Sequence, residues 1–219
     1  MKLPSDTFPF LTELAANNNR EWFNAQKPRF KALQDEIIGF IDALIGQMIP
    51  LEPLLVSVEA KDCLFRIHKD ARFSKGQPPY KTHFGIHIVS SGKRSDFGRA
   101  GFYLHIEPNA CMIAGGAHAP SPAWLKQIRQ EILVNGEVLE GVLADKTFKK
   151  YFGEIRGEQL SRPPVGFAKD APHMDLLRHK TLWVQHDLAN DKLTGAGFMA
   201  YYRKVFEAYL PFQQFLNHA

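Results

Sequence analysis

The hydrophobic period of the chain changes near residue 55, and this change limits its fold more than any other feature. Five short runs, each apolar or alternating between apolar and polar residues, follow one another at 55–59, 63–68, 84–89, 101–107 and 110–114. Such runs are typical of β-strands. Their connections are too short to hold crossover helices, so we expect an antiparallel meander.

The residues before this region carry the period of helices. An apolar stripe from Phe8 to Ala15 precedes three asparagines, and Asn18 with Glu21 has the spacing of a capping box. From about Pro28 to Met48, apolar residues recur every three or four positions. This spacing predicts one long amphipathic helix with a proline in its first turn.

Helical patterning returns after the strands, with Ser121 as a candidate N-cap. Asn135 and Gly136 are expected to interrupt the helix that follows, and Pro211 to kink or split the last one. The pattern predicts four further helices: from Ser121 to about Val134, over about 137–144, at 174–178 and over about 194–216. It also predicts a strand at 181–187.

Together these segments predict an α+β fold in a single domain, with helices packed around a largely antiparallel sheet. The sheet is expected to take residues from about 55 to 114 and a strand near 181–187. Hydrophobic residues make up 45% and charged residues 23% of the chain, which is ordinary for a globular protein. Within 1–219 we expect a helical region (8–50), a β-rich core (55–115), a second helical region (121–145), and a loop, strand and C-terminal helix (155–216).

The net charge of +4 is distributed unevenly. The segment from Arg66 to Arg99 carries eight Lys and Arg but two Asp and Glu, so the rest of the chain is slightly acidic. No apolar run is long enough for a membrane helix, and no secretory signal is visible at the N-terminus. Cys63 and Cys111 lie in apolar runs and are interpreted as buried free thiols. These features predict a cytoplasmic protein that does not bind membranes.

Much of this positive charge lies in a strand, loop and strand between Leu64 and Ile88. A basic loop held between two strands can present several cations to an anionic ligand. An alternative interpretation, to which we give equal weight, is a solvated hairpin whose charges pair with acidic helices. The expected anion clamp consists of Arg66, Arg72, Lys75 and Lys81, with Ser74 and Tyr80 as neutral donors.

Strand parity adds a polar face beside this loop, because side chains of a strand alternate between its two faces. If the strands are neighbours, one surface collects Arg66, His68, His87, Tyr103, His105 and Glu107. His105 and Glu107, with His87 as a third group, could serve as catalytic residues or as a two-histidine, one-carboxylate metal set. We expect hydrogen-bonded histidines there instead, and no metal.

Gly115 and Gly116 precede the helix that starts near Ser121. Glycines before a helix can bring backbone close to a phosphate, or they can form a plain turn between strand and helix. The sequence contains no phosphate-binding loop of Walker spacing and no Gly-x-Ser-x-Gly nucleophile motif.

Three blocks, FRIHKDARFSKGQPPYKTHFG, GFYLHIEPNACMIAGG and RPPVGFAKDAPHMDLLRHK, resemble signatures of the domain-of-unknown-function 2461 family, as does the early NNREWFNAQKPRF. The resemblance covers about residues 8–216 and supplies no activity, cofactor or catalytic residue. It implies that the basic loop, with Glu107, Gly115 and Gly116, belongs to a family motif. The chain departs from the family pattern at Ala117, where many members have Gly, and at Ala171, where many have His.

The leading hypothesis from the sequence is a protein that binds a phosphate-bearing or otherwise anionic ligand, either a small molecule or nucleic acid. The first alternative is a hydrolase-like enzyme, with or without a metal, that uses His105 and Glu107. The second is a protein-interaction module without a small-molecule site. The sequence predicts no cofactor, and it leaves open whether the protein is an enzyme and which oligomer it forms.

Overall fold

A computed structural model describes residues 1–70 and 76–219 of the chain. In this part the protein has nine α-helices and four β-strands, and the strands form one antiparallel sheet. The predicted α+β class with its largely antiparallel sheet is therefore confirmed. Arg72, Ser74 and Lys75 of the predicted clamp lie outside the described residues.

The strands follow the order β1-β2-β3-β4 in the sheet, so each strand pairs with its neighbour in sequence. The first three form the predicted meander. The strands are β1 (Phe84–Ile88), β2 (Gly101–Ile106), β3 (Cys111–Ala117) and β4 (Leu182–Leu188).

Four α-helices precede the first strand, and the longest of them matches the predicted amphipathic helix. The helices are α1 (Thr7–Ala16), α2 (Arg20–Ala25), α3 (Lys27–Met48), α4 (Ala60–Cys63), α5 (Pro122–Ala144), α6 (Lys146–Phe152), α7 (Met174–Leu177), α8 (Asn190–Thr194) and α9 (Phe198–His218). Ser121 caps α5 as predicted, and Asn135 has non-helical backbone angles inside it. The last helix, α9, continues through Pro211 without being split.

The predicted strand at 55–59 is wrong, because Pro53–Ser57 form a 3₁₀-helix. Leu55 and Val58 are buried, whereas Leu54 and Val56 are exposed. This spacing of three fits a 3₁₀ turn, in which residues i and i+3 lie on one side. Pro53 favours such a start because its φ is fixed and it has no N–H to contribute to a sheet.

The predicted strand at 63–68 is also not a regular strand. Cys63 ends α4, and the following residues make two isolated antiparallel bridges, Leu64 with Ile86 and His68 with Tyr80. The backbone still pairs there, since the Phe65 N–H donates to the Gly85 carbonyl at 2.9 Å. The residues on either side of the basic loop therefore still pair with each other as strands do.

The described chain divides into two compact units, and the single-domain boundaries stay a prediction. Unit 1 comprises Met1–Arg94, Tyr103–Ile113 and Asp187–Arg203, and unit 2 comprises Ser95–Phe102, Ala114–His186 and Lys204–Ala219. The core of unit 1 includes Phe10, Ile37, Phe40 and Leu104, all fully buried. The core of unit 2 includes Phe102, Ile128, Phe206 and Tyr209.

Among the helices in the described ranges, none has both the length and the apolar character needed to cross a membrane.

Candidate functional site

The polar face of β2 forms a hydrogen-bonded line in unit 1. The Tyr103 hydroxyl lies 3.0 Å from His105 Nδ1, and His105 Nε2 lies 3.0 Å from Glu107 Oε2. Phe102, Leu104 and Ile106, the alternate residues of the strand, are fully buried. The alternation predicted for this strand therefore holds.

Thr82 forms the second side-chain hydrogen bond of Glu107. The sequence pattern did not predict a role for Thr82. Its hydroxyl donates to Glu107 Oε1 at 2.6 Å. Burial by itself would raise the pKa of Glu107. The hydrogen bonds from His105 and Thr82 together outweigh burial, so the pKa of Glu107 lies below its ordinary value. The ionised carboxylate can only accept, so His105 Nε2 carries a proton and donates to Glu107.

Burial also acts on the tyrosine. The pKa of Tyr103 rises to about 12, mainly because of burial and also because of the nearby Glu107 charge. The hydroxyl therefore keeps its proton at neutral pH and serves as a donor. Gly85 of β1 makes room for it, because a Cβ at that position would lie 2.8 Å from the Tyr103 oxygen.

His83, which the sequence did not single out, takes the place expected for His87. Its ring centroid lies 4.3 Å from that of His105. His83, His105 and Glu107 each have one nitrogen or oxygen atom that could bind a metal, and these three atoms lie within 4.8 Å of one another. Burial, and then the neighbouring His105, lower the pKa of His83 to about 4. We call these three residues the His-His-Glu cluster.

A signal for His83 was present in the sequence. His83, Gly85 and His87 alternate, so a strand extended by one residue would place His83 on the polar face. The structure assigns His87 a different partner, since its Nδ1 lies 2.8 Å from the carbonyl oxygen of Arg94. His87 is therefore not part of the cluster.

Positive charges gather beside the cluster. The Lys81 ammonium lies 5.4 Å from the centre of the Phe65 ring, and Phe65 contacts Tyr103. Burial lowers the pKa of Lys81, and so do the nearby charges of Arg66 and Arg94. We call Arg66, Lys81 and Arg94 the cation group. Arg94, which follows β1, was not among the predicted site residues.

The cation group has few acidic partners among the residues that the structure describes. Arg66 is exposed and lies 3.7 Å from Asp70, and the Arg94 guanidinium donates to the carbonyl of Asp62 at 3.1 Å. Lys81 has no carboxylate within ion-pair distance in that part of the chain. Of the three cations, Arg66 alone lies within ion-pair distance of a carboxylate in the described ranges.

Two of the predicted ligand-binding residues take part in ring packing, and their binding role stays a prediction. Tyr80 is 3% exposed, and its ring stacks on Phe23 at a centroid distance of 4.0 Å. His68 is exposed, and its ring contacts the edges of Phe23 and Tyr80. Neither residue belongs to the His-His-Glu cluster.

Gly115 and Gly116 lie inside β3, in unit 2, and close packing explains both glycines. A Cβ on Gly115 would lie 2.4 Å from the Tyr209 ring, and one on Gly116 would lie 2.4 Å from the Leu182 carbonyl oxygen. Gly116 also has a φ of +116°, which side chains rarely allow. Their approach to a phosphate stays a prediction.

Unit 2 contains an open groove of about 580 Å³ lined by Lys126, Arg129 and Gly166, among others. Arg129 is already engaged, because its guanidinium donates to the carbonyl oxygens of Leu177 and His179 at 3.0 Å. Lys126 is the other cation among the residues that line the groove.

The comparisons with known proteins identify a family. The model of one family, described as conserved hypothetical protein (DUF2461), matches residues 6–215. The chain belongs to the DUF2461 family. Searches of curated proteins and of solved structures found no match. The predicted membership is confirmed, and the family description assigns no activity to the His-His-Glu cluster.

Proposed function

We propose that this DUF2461 protein binds a small anionic ligand, with phosphate as the simplest example, at the cation group of unit 1. The observation that supports it is the concentration of positive charge around Lys81. Arg66 and Arg94 both act on Lys81, which is partly buried and lacks an acidic partner in the described ranges. An anion there would gain charge-assisted hydrogen bonds and would relieve repulsion among the cations.

The neighbouring side chains suit the rest of such a ligand. The His83 ring, on which the charge of Lys81 acts, provides a neutral polar group. The Phe65 ring provides an apolar wall between Lys81 and Tyr103, whose hydroxyl is a second neutral polar group. The predicted clamp residues Arg72, Ser74 and Lys75 enter this proposal from the sequence alone.

The test is binding of inorganic phosphate and pyrophosphate, measured by calorimetry and by thermal unfolding in the presence of a metal chelator. Lys81→Met should weaken binding at least about tenfold, since a charged hydrogen bond contributes about 1.5–3 kcal/mol. The sequence predicts that Arg72→Ala with Lys75→Ala abolishes the anion-induced thermal shift.

Lys61→Met is the matched control, because Lys61 is an exposed lysine of unit 1 that pairs with Glu59 at 2.6 Å. Its affinity for phosphate should equal that of the wild type. Wild-type protein without any shift in phosphate, or equal binding by Lys81→Met, would contradict the proposal.

Nucleic acid is the polymeric form of such a ligand, and salt dependence separates it from a small anion. Affinity for a polynucleotide falls steeply with salt because each neutralised phosphate releases counterions. A flat response of oligonucleotide binding between 50 and 200 mM salt, roughly the range in which the effect is large, would exclude it.

A hydrolase is the second candidate, and the line from Tyr103 through His105 to Glu107 favours it. A histidine oriented by a carboxylate is a common general acid or base. Turnover of p-nitrophenyl phosphate that is lost in both His105→Gln and Glu107→Gln would support this candidate. Absence of turnover with and without added divalent metal would count against it.

A further inference from the structure

We infer that His83, His105 and Glu107 form a binding site for one divalent transition-metal ion, of which Zn²⁺ is the type. Two imidazoles and one carboxylate are a ligand set that binds such ions. His83 directly precedes β1, His105 lies in β2 and Glu107 directly follows it. One ligand atom of each residue lies within 4.8 Å of the others. This inference goes beyond anion binding and does not depend on it.

The spacing of the ligand atoms is close to what a metal requires. Zinc binds nitrogen and oxygen ligands at about 2.0–2.2 Å, so two ligands at a tetrahedral angle lie about 3.3–3.6 Å apart. His105 Nε2 and Glu107 Oε2 are 3.0 Å apart. The ring centroids of His83 and His105 are 4.3 Å apart, and a His83 nitrogen lies within 4.8 Å of the two other ligand atoms.

His83 gives the strongest reason to prefer a metal to hydrogen bonding alone. His105 and Glu107 satisfy each other, but His83 makes no hydrogen bond with any residue that the structure describes, although it is partly buried. A half-buried imidazole packed against a second imidazole loses water without gaining a hydrogen-bond partner. A cation shared by both rings and Glu107 would satisfy that lone pair.

The surrounding groups would orient the ligands. When His105 Nε2 binds the ion, Nδ1 carries the proton and donates to the Tyr103 oxygen 3.0 Å away. Thr82 already holds the other carboxylate oxygen of Glu107. Metal-ligating histidines and carboxylates are commonly fixed by such outer hydrogen bonds.

Three protein ligands leave at least one coordination position open. Structural zinc sites use four protein ligands, whereas sites that bind water or a substrate use three. An anion held by Lys81 could occupy that position. This last step rests on the proposed function, whereas the metal site does not.

The experiment uses the full chain, stripped with a chelator and dialysed into phosphate-free buffer. Calorimetric titration with Zn²⁺ should show one ion per chain, and Co²⁺ should give a visible absorption band that Zn²⁺ displaces. His83→Gln and Glu107→Gln should each weaken Zn²⁺ binding about 100-fold, and Tyr103→Phe about tenfold.

His68→Gln is the matched control, because His68 is an exposed histidine of unit 1 outside the cluster. Its Zn²⁺ affinity should equal that of the wild type. Imidazole nitrogen spectra of the wild-type protein give a readout that needs no variant. Zn²⁺ should shift the signals of His83 and His105 but leave those of His68 unchanged.

Wild-type protein that binds no Zn²⁺, or binding that persists unchanged in His83→Gln and Glu107→Gln, would overturn the inference. The same holds if Zn²⁺ shifts His68 and not His83. Phosphate binding is measured in the presence of chelator, and metal binding is measured in the absence of phosphate. Each proposal can therefore fail without affecting the test of the other.

Discussion

At the residue scale, single glycines decide which large side chains can lie against the sheet. Gly85 leaves the space that the Tyr103 hydroxyl occupies in unit 1. Gly115 does the same for the ring of Tyr209 in unit 2, whose hydroxyl donates to the Gly101 carbonyl at 2.8 Å. These close approaches explain glycine within strands, where it is otherwise unfavourable.

We therefore expect Gly115→Ala to lower the free energy of unfolding by about 1–3 kcal/mol, because the methyl group would overlap the Tyr209 ring. Urea unfolding measures the change. Gly141→Ala in α5 is the control, since nothing lies within 4 Å of its added Cβ. That variant should be neutral or more stable by up to about 1 kcal/mol, and an equal loss in both variants would contradict the packing argument.

At the element scale, two neighbouring asparagines have separate tasks. The sequence assigned the cap of α2 to Asn18, but Asn19 is the N-cap, with its side chain accepting from the Trp22 N–H at 2.9 Å. Asn18 instead donates to the Tyr80 carbonyl at 3.0 Å and accepts from the Tyr80 N–H at 3.1 Å. It thereby ties the N-terminal helices to the segment that leads into β1.

Replacement by aspartate should separate the two tasks. Asn19→Asp keeps the acceptor that a cap needs and should change the free energy of unfolding by less than about 0.5 kcal/mol. Asn18→Asp loses the donor and places a carboxylate against a carbonyl, so it should cost about 1–3 kcal/mol. Chemical unfolding of both variants is the measurement, and equal stabilities would show that the assignment is wrong.

The sequence predicted elements best where the pattern is long. The stripe of α3 extends over many turns, and its predicted span nearly matches the observed one. The run at 55–59 was too short to separate a strand from a 3₁₀ turn, because both can bury two of five residues. Cap assignment failed by one residue for a similar reason, since adjacent asparagines are equally good caps until the backbone angles select one.

At the scale of the whole molecule, the acid stability of the chain should depend on Arg29. Its guanidinium bonds Asp6 and Glu13 at 2.6 and 2.7 Å. The hydrogen bonds from Arg29 hold the pKa of both carboxyl groups below their ordinary values. Carboxyl groups with a lowered pKa stabilise the folded state above their unfolded pKa, and this contribution is lost as the pH falls through the folded pKa.

The free energy of unfolding of Arg29→Met should therefore fall below that of the wild type at neutral pH, and the difference should shrink below about pH 4. Urea unfolding at a series of pH values measures it. Lys31→Met serves as the control, since Lys31 is an exposed cation of the same helix without an acidic partner in the described chain. A gap that stays constant down to acid pH would contradict the ion-pair explanation.

The sequence by itself determined the α+β class, the meander from β1 to β3, the basic segment and the shared face of Tyr103, His105 and Glu107. Each of these depends on patterns within one short stretch of chain. Only the tertiary structure decided that His83, and not His87, joins this face. In an antiparallel pair, a step back along β1 is a step forward along β2, so Gly85 beside Tyr103 brings His83 beside His105. That register depends on which residues of distant strands pack together, and no local periodicity specifies it.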